Sequence, residues 1–150
     1  MANHISKLLA TFFCIGYLPI APGSIATVAG VIISYYLAGN PSVYLWATLA
    51  VTVVGFAVSG HAEQAIGKKD PGCIVIDEVS GVMIAFFMLP MTPAVLCTGF
   101  FLFRAFDMFK IYPANKLEGL KGSRGVMLDD IIAGIYTNIV MQLAIRWAGI

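Results

Sequence analysis

Long apolar runs, broken by short proline–glycine marks and two polar loops, set the pattern of this chain. No Asp, Glu, Lys or Arg occurs from Leu8 to Gly60, and none from Val79 to Phe103. Within the first run, Pro19-Ile20-Ala21-Pro22-Gly23 and Gly39-Asn40-Pro41 act as breaks, because proline removes a helix donor and clashes with the preceding turn. The pattern predicts helical segments over about 5–17, 24–38 and 42–60. A polar stretch from His61 to Asp70 follows, and Pro71-Gly72 turns the chain into a fourth segment at about 77–89. Pro90-Met91-Thr92-Pro93 reads as a hairpin into a fifth, about 93–110. After the polar loop Tyr112 to Gly125, Asp129-Asp130 opens a sixth that runs to about Trp147. The first two segments fall short of the ~20 residues of a straight membrane span. They fit a tilted, re-entrant or bundle-packed placement.

Composition moves this reading toward lipid. Hydrophobic residues are 59% of the 150 and charged residues 11%, against roughly 45–50% and about 25% in soluble domains. The length suits one domain over residues 1–150. The expected fold is therefore all-α, a membrane-embedded helical bundle of about six segments. Lys68, Lys69, Lys110, Lys116, Lys121 and Arg124 fall in two loops joined by one hairpin, and Lys7 precedes the first segment. Positive loops stay cytoplasmic, which puts both loops, and every Asp and Glu, on one face. Trp46, Trp147 and Tyr35-Tyr36 suit interfacial belts. A net charge of +1 with no basic aromatic stripe excludes nucleic acid as a partner. Cys14, Cys73 and Cys97 have no paired spacing, sit among apolar neighbours and read as free buried thiols. The N-terminal stretch lacks a convincing cleavage site and reads as retained.

Against this apolar background the carboxylates stand out. Asp77-Glu78 lies at the mouth of one run, Asp107 at the end of the next, and Asp129-Asp130 at the start of the last. A helix dipole favours acids in a first turn, but adjacent acids without counter-charge near lipid are costly. Arg104, Asp107 and Lys110 stand at i, i+3 and i+6, an arc of about 120° on a helix, and can face one pocket. Asp107 would then hold a metal while Arg104 or Lys110 clamps phosphate. Glycines 119, 122 and 125 make a mobile, close-approach loop whose Lys121 and Arg124 suit anionic headgroups. Asp130, Gly134 and Asn138 form a small-polar stripe at spacing four, which argues for packing against another helix.

Hard oxygen ligands without Cys or His company suit Mg²⁺, and His4 and His61 are remote from these motifs. Metal-assisted phosphoryl chemistry fits, with either an activated water or a carboxylate as the attacking group. Other phosphatase chemistries lack their residues. Cys97 to Arg104 is one residue too long for Cys-x5-Arg, and no D-x-D-x-T/V motif occurs. Two histidines cannot supply a histidine-based lipid phosphatase. The CDP-alcohol phosphotransferase pattern is also missing.

Four blocks in order resemble the phosphatidylglycerophosphatase A family. They are Leu18-Pro-Ile-Ala-Pro-Gly23-Ser24; Asp70-Pro-Gly-Cys-Ile-Val-Ile-Asp77-Glu78-Val-Ser-Gly81; Phe103-Arg104-Ala-Phe-Asp107-Met-Phe-Lys110-Ile-Tyr-Pro113; and Gly125-Val-Met-Leu-Asp129-Asp130-Ile-Ile-Ala-Gly134. The resemblance implies an Mg²⁺-dependent, multi-pass enzyme of the bacterial inner membrane that hydrolyses phosphatidylglycerophosphate to phosphatidylglycerol and phosphate. Asp77, Glu78, Asp107, Asp129 and Asp130 are the expected metal and catalytic residues. Arg104 and Lys110 are the expected phosphate contacts, with Ser24, Thr27, Lys121 and Arg124 behind them. Two other classes remain open: a small transporter or channel with carboxylates along a cation path, and a non-catalytic helical membrane partner.

Overall fold

In the computed structural model, which describes residues 2–148, the central element is a short helix buried on every side. This is α4, Ile76–Phe86, with nine of its eleven residues buried. Around it stand α1 (Ala2–Ala10), α2 (Pro22–Leu37), α3 (Pro41–Ile66), α5 (Pro93–Phe109), the single-turn α6 (Ala114–Leu117) and α7 (Ser123–Ala148). A 3₁₀ turn, Ile15–Tyr17, links α1 to α2. Among the described residues there is no strand, in agreement with the all-α expectation.

The helix starts follow the punctuation. Proline occupies the first turn of α2, α3 and α5, where its missing N–H is no loss. The Asn40 and Thr92 side chains cap α3 and α5 by accepting from the backbone N–H groups of Val43 and Val95. Three boundaries differ from the sequence expectation. The first segment, expected over about 5–17, is helical only to Ala10, because Phe12, Phe13 and Cys14 take left-handed backbone before the 3₁₀ turn. Helix α3 continues to Ile66, through half of the stretch read as polar loop, because Ala62 and Ile66 pack inside the cluster around Ala10, Ile74 and Met127. Helix α7 begins at Ser123, not at Asp129. Gly122, at φ 67°, makes the left-handed turn before it, and the Ser123 hydroxyl accepts from the Gly60 N–H at 2.7 Å. Asp129-Asp130 therefore sits about two turns inside a helix rather than in its first turn.

Cross-helix contacts give the directions. Gly60 meets Ser123 and Gly55 meets Met127, so α3 runs antiparallel to α7. Gly81 meets Gly134 and Asn138 reaches Ala85, so α4 and α7 run parallel. Gly99 meets Phe86 and Gly81 meets Phe103, which sets α5 antiparallel to α4. All eight Asp and Glu residues of the chain consequently gather toward one end. Eight of the nine Lys and Arg gather there too, with Arg146 at the opposite end.

Helices α4 and α7 touch backbone to backbone. A Cβ on Gly134 would stand 2.2 Å from the Gly81 carbonyl oxygen, and a Cβ on Gly81 would stand 2.6 Å from that of Asp130. Only hydrogen in place of a side chain on both helices allows this backbone contact.

At its C-terminus α4 has carbonyls that no further turn can satisfy, and the surrounding bundle supplies the donors. The Tyr44 hydroxyl donates to Met83 O at 2.7 Å. The Asn138 amide donates to Ala85 O at 2.9 Å and to Phe87 O at 2.8 Å. This is the structural role expected of Asn138. Asn138→Ala should cost about 1–3 kcal/mol, the usual penalty of unpaired buried acceptors, read as a lower midpoint of thermal unfolding in detergent.

The exterior is apolar, and the free thiols of Cys14 and Cys97 are exposed on it rather than buried, with Cys73 partly so, because apolar neighbours here face outward. Helices α3 and α7 are long and apolar enough to cross a membrane; 26 residues span about 39 Å, against a hydrocarbon thickness of ~30 Å. Only 22% and 33% of their most apolar stretches are buried, whereas a core helix of a soluble protein would be mostly covered. Leu45, Trp46, Leu49 and Val53 on α3 face outward, as do Ile139, Val140, Leu143 and Trp147 on α7. Exposed apolar surface on this scale marks a lipid or partner contact. Trp46, Trp147 and the edge-to-face pair Tyr35–Tyr36 lie at the end opposite the carboxylates.

Candidate metal and phosphate site

Five carboxylates arrive at the charged end from three helices. Asp77 and Glu78 occupy the first turn of α4, where the helix dipole favours them. Asp107 lies in the last turn of α5, and Asp129 and Asp130 come from α7. Asp77, Asp129 and Asp130 are buried; Glu78 and Asp107 are partly so. Ligand-capable atoms of Asp77, Glu78 and Asp130 lie within 4.8 Å of one another, as do those of Asp107, Asp129 and Asp130.

Two cations serve this cluster. Arg104 Nη1 donates to Asp107 Oδ2 at 2.6 Å and stands 4.0 Å from Glu78 Oε1. Lys110 bridges Asp129 at 2.8 Å and Glu118 at 3.0 Å. It adopts a left-handed backbone, φ 44°, at the end of α5, which swings its side chain toward α7. Burial alone would lower the Lys110 pKa, but its hydrogen bonds to Asp129 and Glu118 outweigh that and raise it above the ordinary lysine value. The ammonium therefore stays charged across the physiological range.

Neither Asp77 nor Asp130 has a cation within salt-bridge distance among the described residues. Asp77 Oδ1, Glu78 Oε2 and Asp129 Oδ1 are buried with no hydrogen-bond partner. Buried carboxylate oxygens left bare are expensive. A hard divalent cation fits this donor set, because it takes oxygen ligands and cancels the excess negative charge.

The secondary phosphate candidates divide. Ser24 is half-buried in the first turn of α2, beside Gly23. Thr27 is fully buried and its hydroxyl donates to Gly23 O at 2.8 Å, within its own helix. Lys121 and Arg124 are exposed just before and within the first turn of α7, and make no ion pair among the described residues. Two positions escaped the sequence reading. Gly23 lies against the Glu78–Arg104 pair: a Cβ there would stand 2.3 Å from Glu78 Oε1 and 3.6 Å from Arg104 Nη1. The Pro22-Gly23 pair was the available signal. Glu118 shares Lys110 with Asp129, and no local pattern announces that, since the contact depends on how α6 folds back.

The chain matches the phosphatidylglycerophosphatase A family over residues 8–145. It is 36% identical to a Bacteroides thetaiotaomicron protein named "Putative phosphatidylinositol-3-phosphatase", covering 97% of this chain and 96% of that one. It is 31% identical to phosphatidylglycerophosphatase A of Escherichia coli, over 93% of this chain and 84% of the relative. The corresponding Haemophilus influenzae enzyme is 32% identical, over 93% and 88%. No solved structure matches.

Proposed function

The chain belongs to the phosphatidylglycerophosphatase A family, and from that premise we propose that it hydrolyses the terminal phosphomonoester of phosphatidylglycerophosphate to phosphatidylglycerol and phosphate. The observation that carries this reading is the buried set of carboxylates with unpartnered oxygens beside Arg104, at one end of an apolar bundle. Asp77, Glu78, Asp107, Asp129 and Asp130 would hold Mg²⁺. When bound, the ion supplies Lewis acidity to the phosphate and a lowered pKa to an attacking water.

The chain's own residues would do the rest. Arg104 is held between Asp107 and Glu78 and is partly exposed, so its fork can take two phosphate oxygens while keeping its carboxylate support. Lys110, already charged, adds a second positive group at the other side of Asp129. Ser24, next to Gly23 at the Glu78–Arg104 pair, is a weaker contact, whereas buried Thr27, whose hydroxyl donates to Gly23 O, supports the turn that carries it. Lys121 and Arg124 would attract the anionic headgroup from the surface. Hydrolysis breaks the bond from phosphorus to the glycerol oxygen, which leaves with a proton. The buried carboxylates are the groups placed to move the water's proton.

Charge supports a localisation as well. With eight of nine cations at the carboxylate end, the positive-inside rule puts the site on the cytoplasmic face of the bacterial inner membrane, with a multi-pass bundle. The same placement speaks against a cation path, which would set acids facing one another at mid-membrane.

The test is phosphate release by the purified protein in detergent micelles. Phosphatidylglycerophosphate and phosphatidylinositol 3-phosphate, suggested by the Bacteroides relative's name, should be assayed in parallel. The expected result is release from the first substrate with Mg²⁺, abolished by EDTA and restored by added Mg²⁺. Turnover confined to the inositol lipid would replace the substrate and keep the reaction class. No turnover of either, or release indifferent to EDTA, would end the proposal.

A further inference from the structure

The ligand-capable carboxylates form two groups, not one, and Asp130 belongs to both. We propose that the centre is dinuclear: two divalent cations bind side by side, one held by Asp77, Glu78 and Asp130 and the other by Asp107, Asp129 and Asp130. This rests on the metal-dependent reading above and deepens it, assigning the number of ions and the ligands of each.

Three observations carry it. The first is reach. An octahedral Mg²⁺ with bonds of 2.0–2.1 Å cannot have ligand atoms more than about 4.2 Å apart. The carboxylates satisfy mutual proximity only in threes, within 4.8 Å in each group. As these side chains stand, five ligand atoms do not converge on the position of one small ion.

The second is the distribution of bare oxygens. Asp77 Oδ1 and Glu78 Oε2 belong to the first group and Asp129 Oδ1 to the second. Asp77 is only 8% exposed and Asp129 only 6%. An ion in either group alone would leave a buried oxygen unpartnered in the other, which is costly.

The third is charge. Five carboxylates face Arg104 and Lys110, and Lys110 is itself shared with Glu118. One divalent ion leaves this buried set net negative, which would repel a phosphate monoester. Two bring it close to neutrality, which lifts the repulsion of an anionic substrate. Asp130, buried and without a cation of its own, is the group placed to be shared. The Gly81–Gly134 contact, one turn along both helices, holds its helix against the one that carries Asp77 and Glu78.

The experiment uses Mn²⁺ alone as the probe, titrated into purified detergent-solubilised protein without substrate and followed by electron paramagnetic resonance. The expected result is two Mn²⁺ per chain with an exchange-coupled multiline spectrum. Asp77→Asn should bind one tight Mn²⁺ with an uncoupled six-line signal, and Asp129→Asn should do the same at the other site. Asp130→Asn should weaken both sites together. Saturation at one Mn²⁺ per chain, or two uncoupled ions, would overturn the proposal. So would an Asp130→Asn protein that loses only one site. If Asp130→Asn fails to fold by circular dichroism, the wild-type stoichiometry and the Asp77→Asn spectrum decide. Two coupled ions in a protein that hydrolyses neither lipid would remove the phosphatase reading and leave the dinuclear centre standing.

Discussion

Asp107→Asn is expected to lower phosphate release by about 10²–10³-fold, the scale seen when one preorganised electrostatic group is removed from an active site. The substitution keeps the size of the side chain and removes its charge. In the native protein Asp107 Oδ2 accepts from Arg104 at 2.6 Å, and its carboxylate belongs to the group with Asp129 and Asp130. On the proposed assignment the variant therefore loses a metal ligand and weakens the support of the guanidinium that would bind phosphate. Stability should change little, because Asp107 is only partly buried and Arg104 retains Glu78 at 4.0 Å. The measurement is initial rate against phosphatidylglycerophosphate at saturating Mg²⁺, with circular dichroism as the folding control. A folded Asp107→Asn protein with near-wild-type rate would remove Asp107 from the site.

Gly134→Ala should have the largest effect on the fold. Helix propensity alone favours this change by about 1 kcal/mol, since alanine is the better helix former. The tertiary structure reverses the sign. The new methyl would stand 2.2 Å from the Gly81 carbonyl oxygen, 3.0 Å from its carbon and 3.3 Å from its Cα. These are backbone atoms of a helix buried on all sides, so no side chain can rotate away. Helices α4 and α7 must separate, at a cost of about 1–3 kcal/mol by the measure of overpacked cores. Separation also pulls Asp77 and Glu78 away from Asp130, so phosphate release should fall together with the thermal midpoint. Gly39→Ala, where an added Cβ meets nothing within 4 Å, serves as the neutral control. A Gly134→Ala protein as stable and active as wild type would show that the close helix contact is dispensable.

What the sequence determined by itself is what depends on local pattern. Hydropathy and proline–glycine breaks marked nearly every helix, because the preference of an apolar run for helix and lipid is settled residue by residue. The placement of charge at segment ends was legible for the same reason, and so was the stripe Asp130, Gly134, Asn138. The failures were equally local in origin. Ser123 to Gly125 looked like loop because of its glycines, yet Gly125 belongs to α7, where a Cβ would stand 2.1 Å from the Leu120 carbonyl oxygen. That moved Asp129-Asp130 from a helix start to its interior. Tertiary structure alone decided which carboxylates meet. Asp77 and Asp130 are more than fifty residues apart in the chain, and their proximity depends on two glycines that let parallel helices touch. It also decided that Lys110 serves Asp129 and Glu118 while Arg104 serves Asp107 and Glu78. Such pairings are set by helix crossing and depth, which no window along the chain contains. Asp77-Glu78 could be read as costly from sequence; only packing sorted it into one of two groups joined at Asp130.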